Sequence, residues 1–120
     1  LSVIGDLYKT EAFELCRYIN RDKEIIPWHT INKPPSAELR PNQQDTDSLP
    51  DYPVLDAILY QHIELSKSAE EIIEQGYDEF VVNKVVKMVY RNDFKRFQLA
   101  PVLAISPKPF AMREMPIVKK

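Results

Sequence analysis

The sequence predicts a mainly α-helical fold, three or four helices with a long proline-rich loop between them and an extended tail at the end. Three observations carry this. Apolar residues recur at helical spacing in four separate stretches, and three of those stretches open on a residue suited to cap a helix. The 10 prolines crowd into two regions, six from Pro27 to Pro53 and four from Pro101 to Pro116, and proline removes a backbone donor and blocks helix interiors. With 44% hydrophobic and 28% charged residues in 120, the chain has the composition of one soluble domain, long enough to bury roughly two-thirds of its unfolded surface.

The first helix follows a Gly5-Asp6 turn and runs from Thr10 to Asn20, with Ala12, Cys16 and Ile19 on one stripe. Trp28 and His29, after Pro27, read as the end of a short strand and receive no chemistry. Asp51 is the N-cap of the second helix, and Pro53 sits in its first turn, where a missing donor does no harm. Leu55, Leu59 and Ile63 then repeat every fourth position, with Val54 and Ile58 beside them. Ser66 and Lys67 break this helix off. Ser68-Ala69-Glu70-Glu71 spells a capping box for a short third helix, which Gly76 terminates in a left-handed conformation. Asp78 caps the fourth, Glu79 to Asn92, where Val82, Val85, Val86 and Val89 recur at i, i+3, i+4 and i+7. Valine density suggests a strand, but the cap, the length and the period favour helix. Beyond Phe97 the pattern dissolves. Residues Pro101 to Ile105 pair as a short edge strand or, with Ser106-Pro107-Lys108-Pro109, form an extended tail over 101–120.

Composition excludes several chemistries. The 2 glycines, Gly5 and Gly76, are too far apart for a Walker A or G-x-G-x-x-G phosphate cradle, so any nucleotide phosphate site must be completed elsewhere. A single Cys16 makes neither an intrachain disulfide nor a thiolate zinc site, and His29 and His62 lack the spacing of a helical metal pair. That cysteine usage fits a cytoplasmic protein. No apolar run approaches the roughly 20 residues that span a bilayer, so no membrane partner is expected. Leu1 at the start leads us to expect a processed product or a piece of a longer chain.

Three clusters remain as candidates. The segment 33–51 is too long and polar for a simple connector. It suits either a lid over a polar ligand or a flexible linker: Ser36 donates or accepts, Arg40 forks onto a phosphate or carboxylate, and Asp45 and Asp47 offer hard oxygens at a spacing that is a weak metal signal. Lys84, Lys87, Arg91, Lys95 and Arg96 line the fourth helix and its end, interleaved with Tyr90, Phe94 and Phe97. A solvated face is the plain reading, and the net charge of -2 argues against nucleic acid. Cys16 reads as a small core residue and His62 as a packed or interfacial one, while Glu70, Glu71 and Glu74 are ordinary carboxylates of an exposed helix.

The order of several unusual motifs carries a resemblance. Gly5-Asp6-Leu7-Tyr8-Lys9-Thr10, then Lys33-Pro34-Pro35-Ser36-Ala37-Glu38-Leu39-Arg40-Pro41, Asp45-Thr46-Asp47-Ser48-Leu49-Pro50, Leu55-Asp56, Phe94-Lys95-Arg96 and Met115-Pro116-Ile117 together resemble the NAD synthetase family, most closely the C-terminal end of the glutamine-dependent bacterial form. The resemblance implies that residues 1–120 are the C-terminal portion of an amide-ligase domain with an α/β, adenine-nucleotide-binding, pyrophosphatase-loop fold. It implies ATP-dependent adenylation of deamido-NAD with release of pyrophosphate, then displacement of AMP by ammonia, drawn from glutamine in the full enzyme, to give NAD. It implies that Lys9 and Ser36 contact ATP, that Lys95 contacts deamido-NAD, and that 33–51, with Arg40, Asp45 and Asp47, orders as an active-site lid. Only the lysine of Phe94-Lys95 carries over, because ammonia-dependent members often have His-Lys there.

The departures set a further expectation. The family's Ser-Gly-Gly-x-Asp-Ser ATP loop, its Mg2+ ligands and its glutaminase cysteine nucleophile are absent from these 120 residues. The segment alone is therefore expected to be inactive, to depend on the remainder of its own chain and to work in a homo-oligomer. The rival expectation is a non-catalytic helical interaction or oligomerisation module.

Overall fold

The computed structural model describes residues 1–34 and 49–107. Among them lie five α-helices, α1 (Lys9–Ile19), α2 (Trp28–Asn32), α3 (Tyr52–Ile63), α4 (Ala69–Ile73) and α5 (Glu79–Asn92), followed by a 3-10 helix, Asp93–Gln98. The helices expected from Thr10, after Asp51, after Ser68 and from Glu79 are all present, the second and third ending two or more residues short of Ser66 and Gly76, and α2 is a further one beyond the three or four expected. The chain divides into two compact units, Tyr8–Asp56 and Leu1–Leu7 with Ala57–Lys120, the division falling inside α3.

In the unit Tyr8–Asp56, Tyr8 has the extended backbone of an N-cap, and its N–H donates to Glu11 Oε2 at 2.9 Å. At the other end of α1, Asn20 folds the chain back on itself. Its Oδ1 accepts the N–H groups of Ile25 and Ile26 at 3.0 and 2.9 Å, and its Nδ2 donates to the Ile26 carbonyl at 2.7 Å. This buried asparagine satisfies three backbone groups of a loop that no helix serves, which is why it is inside. The loop delivers Pro27 as the N-cap of α2, whose Trp28 N–H donates to Glu24 Oε1 at 3.0 Å. The expected strand end at Trp28 and His29 is thus a helical turn, because Pro27 pre-sets the backbone angle of an entering helix and the Glu24 side chain satisfies the first free donor. The α1 stripe also differs from expectation. None of its residues is fully buried, and Cys16 is a free, half-buried thiol rather than a core residue. A three-residue stripe of Ala, Cys and Ile is too small to fill a core by itself.

The unit Leu1–Leu7 with Ala57–Lys120 holds the strongest apolar cluster: Ile58, Ile72 and Val82 are fully enclosed, with Ile63 and Val85 beside them. Within this unit the buried apolar positions of α3 are Ile58 and Ile63. Ser66 ends this stretch at a φ of 56°, the left-handed region. Ser68 then caps α4 as the motif predicts: its Oγ accepts the Glu71 N–H at 3.2 Å while Glu71 Oε2 accepts the Ser68 N–H at 2.7 Å. Gly76 follows at a φ of 98°, and Asp78 Oδ1 accepts the Val81 N–H at 2.9 Å to open α5, which packs against α4. Val82 and Val85 face inward.

The expected edge strand contracts to a single parallel bridge between Ser2 and Val102, with the Ser2 N–H donating to the Pro101 carbonyl at 2.8 Å. No strand forms among the described residues. Proline at 101 cannot donate, so the ladder has no room to lengthen on that side. What fixes the tail instead is Asp6, a buried residue whose Oδ2 accepts the N–H groups of Ile105 and Ser106 at 2.8 and 2.7 Å.

Candidate functional site

The motif Gly5 to Thr10 is built around two carboxylates. Asp6 clasps the tail at Ile105 and Ser106, and Gly5 stands where a Cβ would meet Ser2 Oγ at 2.7 Å and a γ-carbon of Val102 at 2.9 Å, so only glycine fits the crossing. Four residues on, Thr10 is tied to the second turn of α3. Its backbone N–H and its Oγ1 both donate to Asp56 Oδ2, each at 2.8 Å, and Asp56 is buried.

Lys9 is the first residue of α1 and is exposed. Its Nζ lies 6.0 Å from the centroid of the Tyr52 ring, at the outer reach of a cation–π contact. Lys95 lies in the 3-10 helix, exposed to solvent, two residues after the buried Asp93. Lys9 and Lys95 belong to different units, each described within its own. Ser36, Arg40, Asp45 and Asp47 lie outside the described residues, as does most of 33–51 and the tail after Pro107. On α5, Lys84, Lys87 and Arg91 are exposed.

His62 is packed, as its spacing suggests. Its Nδ1 lies 2.9 Å from the Lys67 carbonyl, and its ring meets Tyr90 edge-on at 5.9 Å between centroids. Among the described residues no group of three His, Cys, Asp or Glu side chains gathers to hold a metal ion. No described helix is long and apolar enough to cross a membrane.

Periodicity did not reveal Asp6 and Asp56 as anchors. Their partners lie 99 and 100 residues away for Asp6, and 46 for Asp56. The one local signal was their membership of the resemblance motifs.

Comparison with a solved structure gives the class. Glutamine-dependent NAD+ synthetase from Acinetobacter baumannii, in complex with adenosine diphosphate, superimposes with a TM-score of 0.56 at 39% identity, covering 93% of this chain and 19% of that one. The fold is that of a helical stretch of a much longer synthetase. The NAD synthase family model matches residues 1–99, and the chain belongs to that family. Relatives named glutamine-dependent NAD(+) synthetase are 48% identical over 120 residues in Synechocystis sp. (99% of this chain, 22% of the relative) and 50% identical over 120 residues in Acinetobacter baylyi (98% and 22%). The chain therefore spans about a fifth of the length of the relatives it matches.

Proposed function

We propose that these residues are the C-terminal portion of the ligase domain of a glutamine-dependent NAD synthetase. The protein they belong to adenylates the nicotinate carboxylate of deamido-NAD with ATP and then amidates it. The observation that carries this is identity near one-half across nearly the whole chain to proteins named for that activity. The Acinetobacter baumannii synthetase was solved in complex with adenosine diphosphate, an adenine nucleotide of the kind the reading requires.

In the first step the carboxylate oxygen attacks the α-phosphorus of ATP and pyrophosphate leaves. In the second, ammonia attacks the acyl carbon and AMP leaves. Both steps crowd negative charge into one place, so the chain's part is to supply fixed cations and to exclude water. Lys9 and Ser36 serve ATP, Lys95 serves deamido-NAD, and 33–51, with Arg40, Asp45 and Asp47, closes as the lid. The ATP loop, the magnesium ligands and the glutaminase lie in the remainder of the protein, so the segment alone is inactive. The whole enzyme is a cytoplasmic homo-oligomer.

Separate substrate roles are the testable core of this reading. In the full-length protein, Lys95→Ala should raise KM for deamido-NAD much more than KM for ATP, and Lys9→Ala should do the reverse. Equal effects on both substrates would defeat the assignment.

A further inference from the structure

We propose that Asp56 is a positioning residue for the ATP-binding step, acting through Lys9; this rests on the reading of Lys9 as an ATP contact. The first turn of any α-helix leaves backbone N–H groups without an intrahelical partner, and a short polar side chain at the N-cap normally serves one of them. The N-cap of α1 is Tyr8. The donor of Thr10, the second helical residue, is served by a carboxylate from α3, 46 residues further along the chain.

The attachment is double. Thr10 gives Asp56 Oδ2 both its N–H and its hydroxyl at 2.8 Å, which fixes the backbone and the rotamer of the residue immediately after Lys9. Tyr52, one turn earlier on α3, places its ring 6.0 Å from Lys9 Nζ. Residues at i and i+4 of a helix share a face, so one face of α3 meets two consecutive residues of α1, Lys9 through Tyr52 and Thr10 through Asp56. Asp56 is 8% exposed, too enclosed to be spent on a solvent contact. A long, mobile lysine gains most from such support. Its own side chain has many rotamers, and what the protein can fix is the direction from which it reaches the phosphates.

A plain helix cap would affect both substrates through stability, whereas a positioning residue affects the one its lysine contacts. The test uses the full-length enzyme and the variants Lys9→Ala, Asp56→Ala and the pair combined. Asp56→Ala is expected to raise KM for ATP about tenfold while KM for deamido-NAD stays within about twofold. The combined variant should match Lys9→Ala alone within about twofold, because the two residues act through one contact. Asp56→Asn, which keeps an acceptor oxygen for Thr10, should recover most of the loss. Should Asp56→Ala fail to fold, Thr10→Val removes only the hydroxyl donor and should shift the same constant in the same direction by less, with Thr10→Ser restoring it. Losses that multiply in the combined variant, or a KM for deamido-NAD that rises equally, overturn the positioning role while leaving Lys9 as an ATP contact. An unchanged KM for ATP in Lys9→Ala overturns that contact and the proposal with it.

Discussion

Replacing Gly5 by alanine tests the clasp between the two ends of the described chain. A Cβ there would lie 2.7 Å from Ser2 Oγ and 2.9 and 3.0 Å from the two γ-carbons of Val102. Carbon atoms rest at about 3.5–4.0 Å, so the methyl needs roughly half an ångström or more that the site does not have. The Ser2 hydroxyl can rotate away, but Val102 is branched at Cβ, and moving one γ-carbon drives the other toward the backbone. The strain must therefore separate Ser2 from Val102, at a cost of about 1–3 kcal/mol for overpacking. Separation opens the bond from the Ser2 N–H to the Pro101 carbonyl first, then the bonds from Ile105 and Ser106 to Asp6. In hydrogen exchange this corresponds to about 5- to 150-fold faster exchange at those amides, with α4 and α5 unchanged. Val102→Ala in the Gly5→Ala background should bring the rate back toward the parent's, because it removes the carbons that collide. Unchanged exchange in Gly5→Ala, or no recovery in the double variant, would refute the steric account of this glycine.

Two further outcomes follow from the helix ends. Gly76 has a φ of 98° and open space where a Cβ would sit, so Gly76→Ala should cost about 1–2 kcal/mol through backbone strain alone, and Gly76→Asn less, as read by exchange of the α4 amides. The Glu70 carboxyl is held below its usual value by its own backbone N–H and by the Ser68 side chain. Because the folded value is the lower one, this contribution to α4 is present above the ordinary glutamate range and fades as pH falls through the folded value; acid should loosen the start of α4, and Glu70→Gln should blunt that response in pH-dependent exchange.

How much was legible in the sequence depended on the range of the interaction. Ser68 with Glu71, Asp78 with Val81 and Gly76 are each satisfied within three residues or by their own backbone, so composition and spacing sufficed. The buried valines of α5 were legible for the same reason, since periodicity reports which face is apolar. The turn at Trp28 was not, because its support comes from Glu24 and from the loop that Asn20 gathers, contacts with no period. Asp6 and Asp56 were visible only as letters in a motif. Their function as anchors depends on backbone groups brought to them from 99 and 46 residues away, which is knowledge of the fold and not of the local chain. Of the two alternatives for Pro101 to Ile105, the edge strand reduces to one bridge for a related reason: the partner exists, at Ser2, but the carboxylate of Asp6 takes the N–H groups that a ladder would have used.

The most direct measurement is conversion of deamido-NAD to NAD by the full-length protein, with ATP, magnesium and either glutamine or ammonia, run beside the 120-residue chain. NAD from the full-length protein and none from the 120-residue chain is the expected result, marking these residues as a necessary but incomplete part of the ligase. No NAD from the full-length protein with either nitrogen donor would contradict the proposed function.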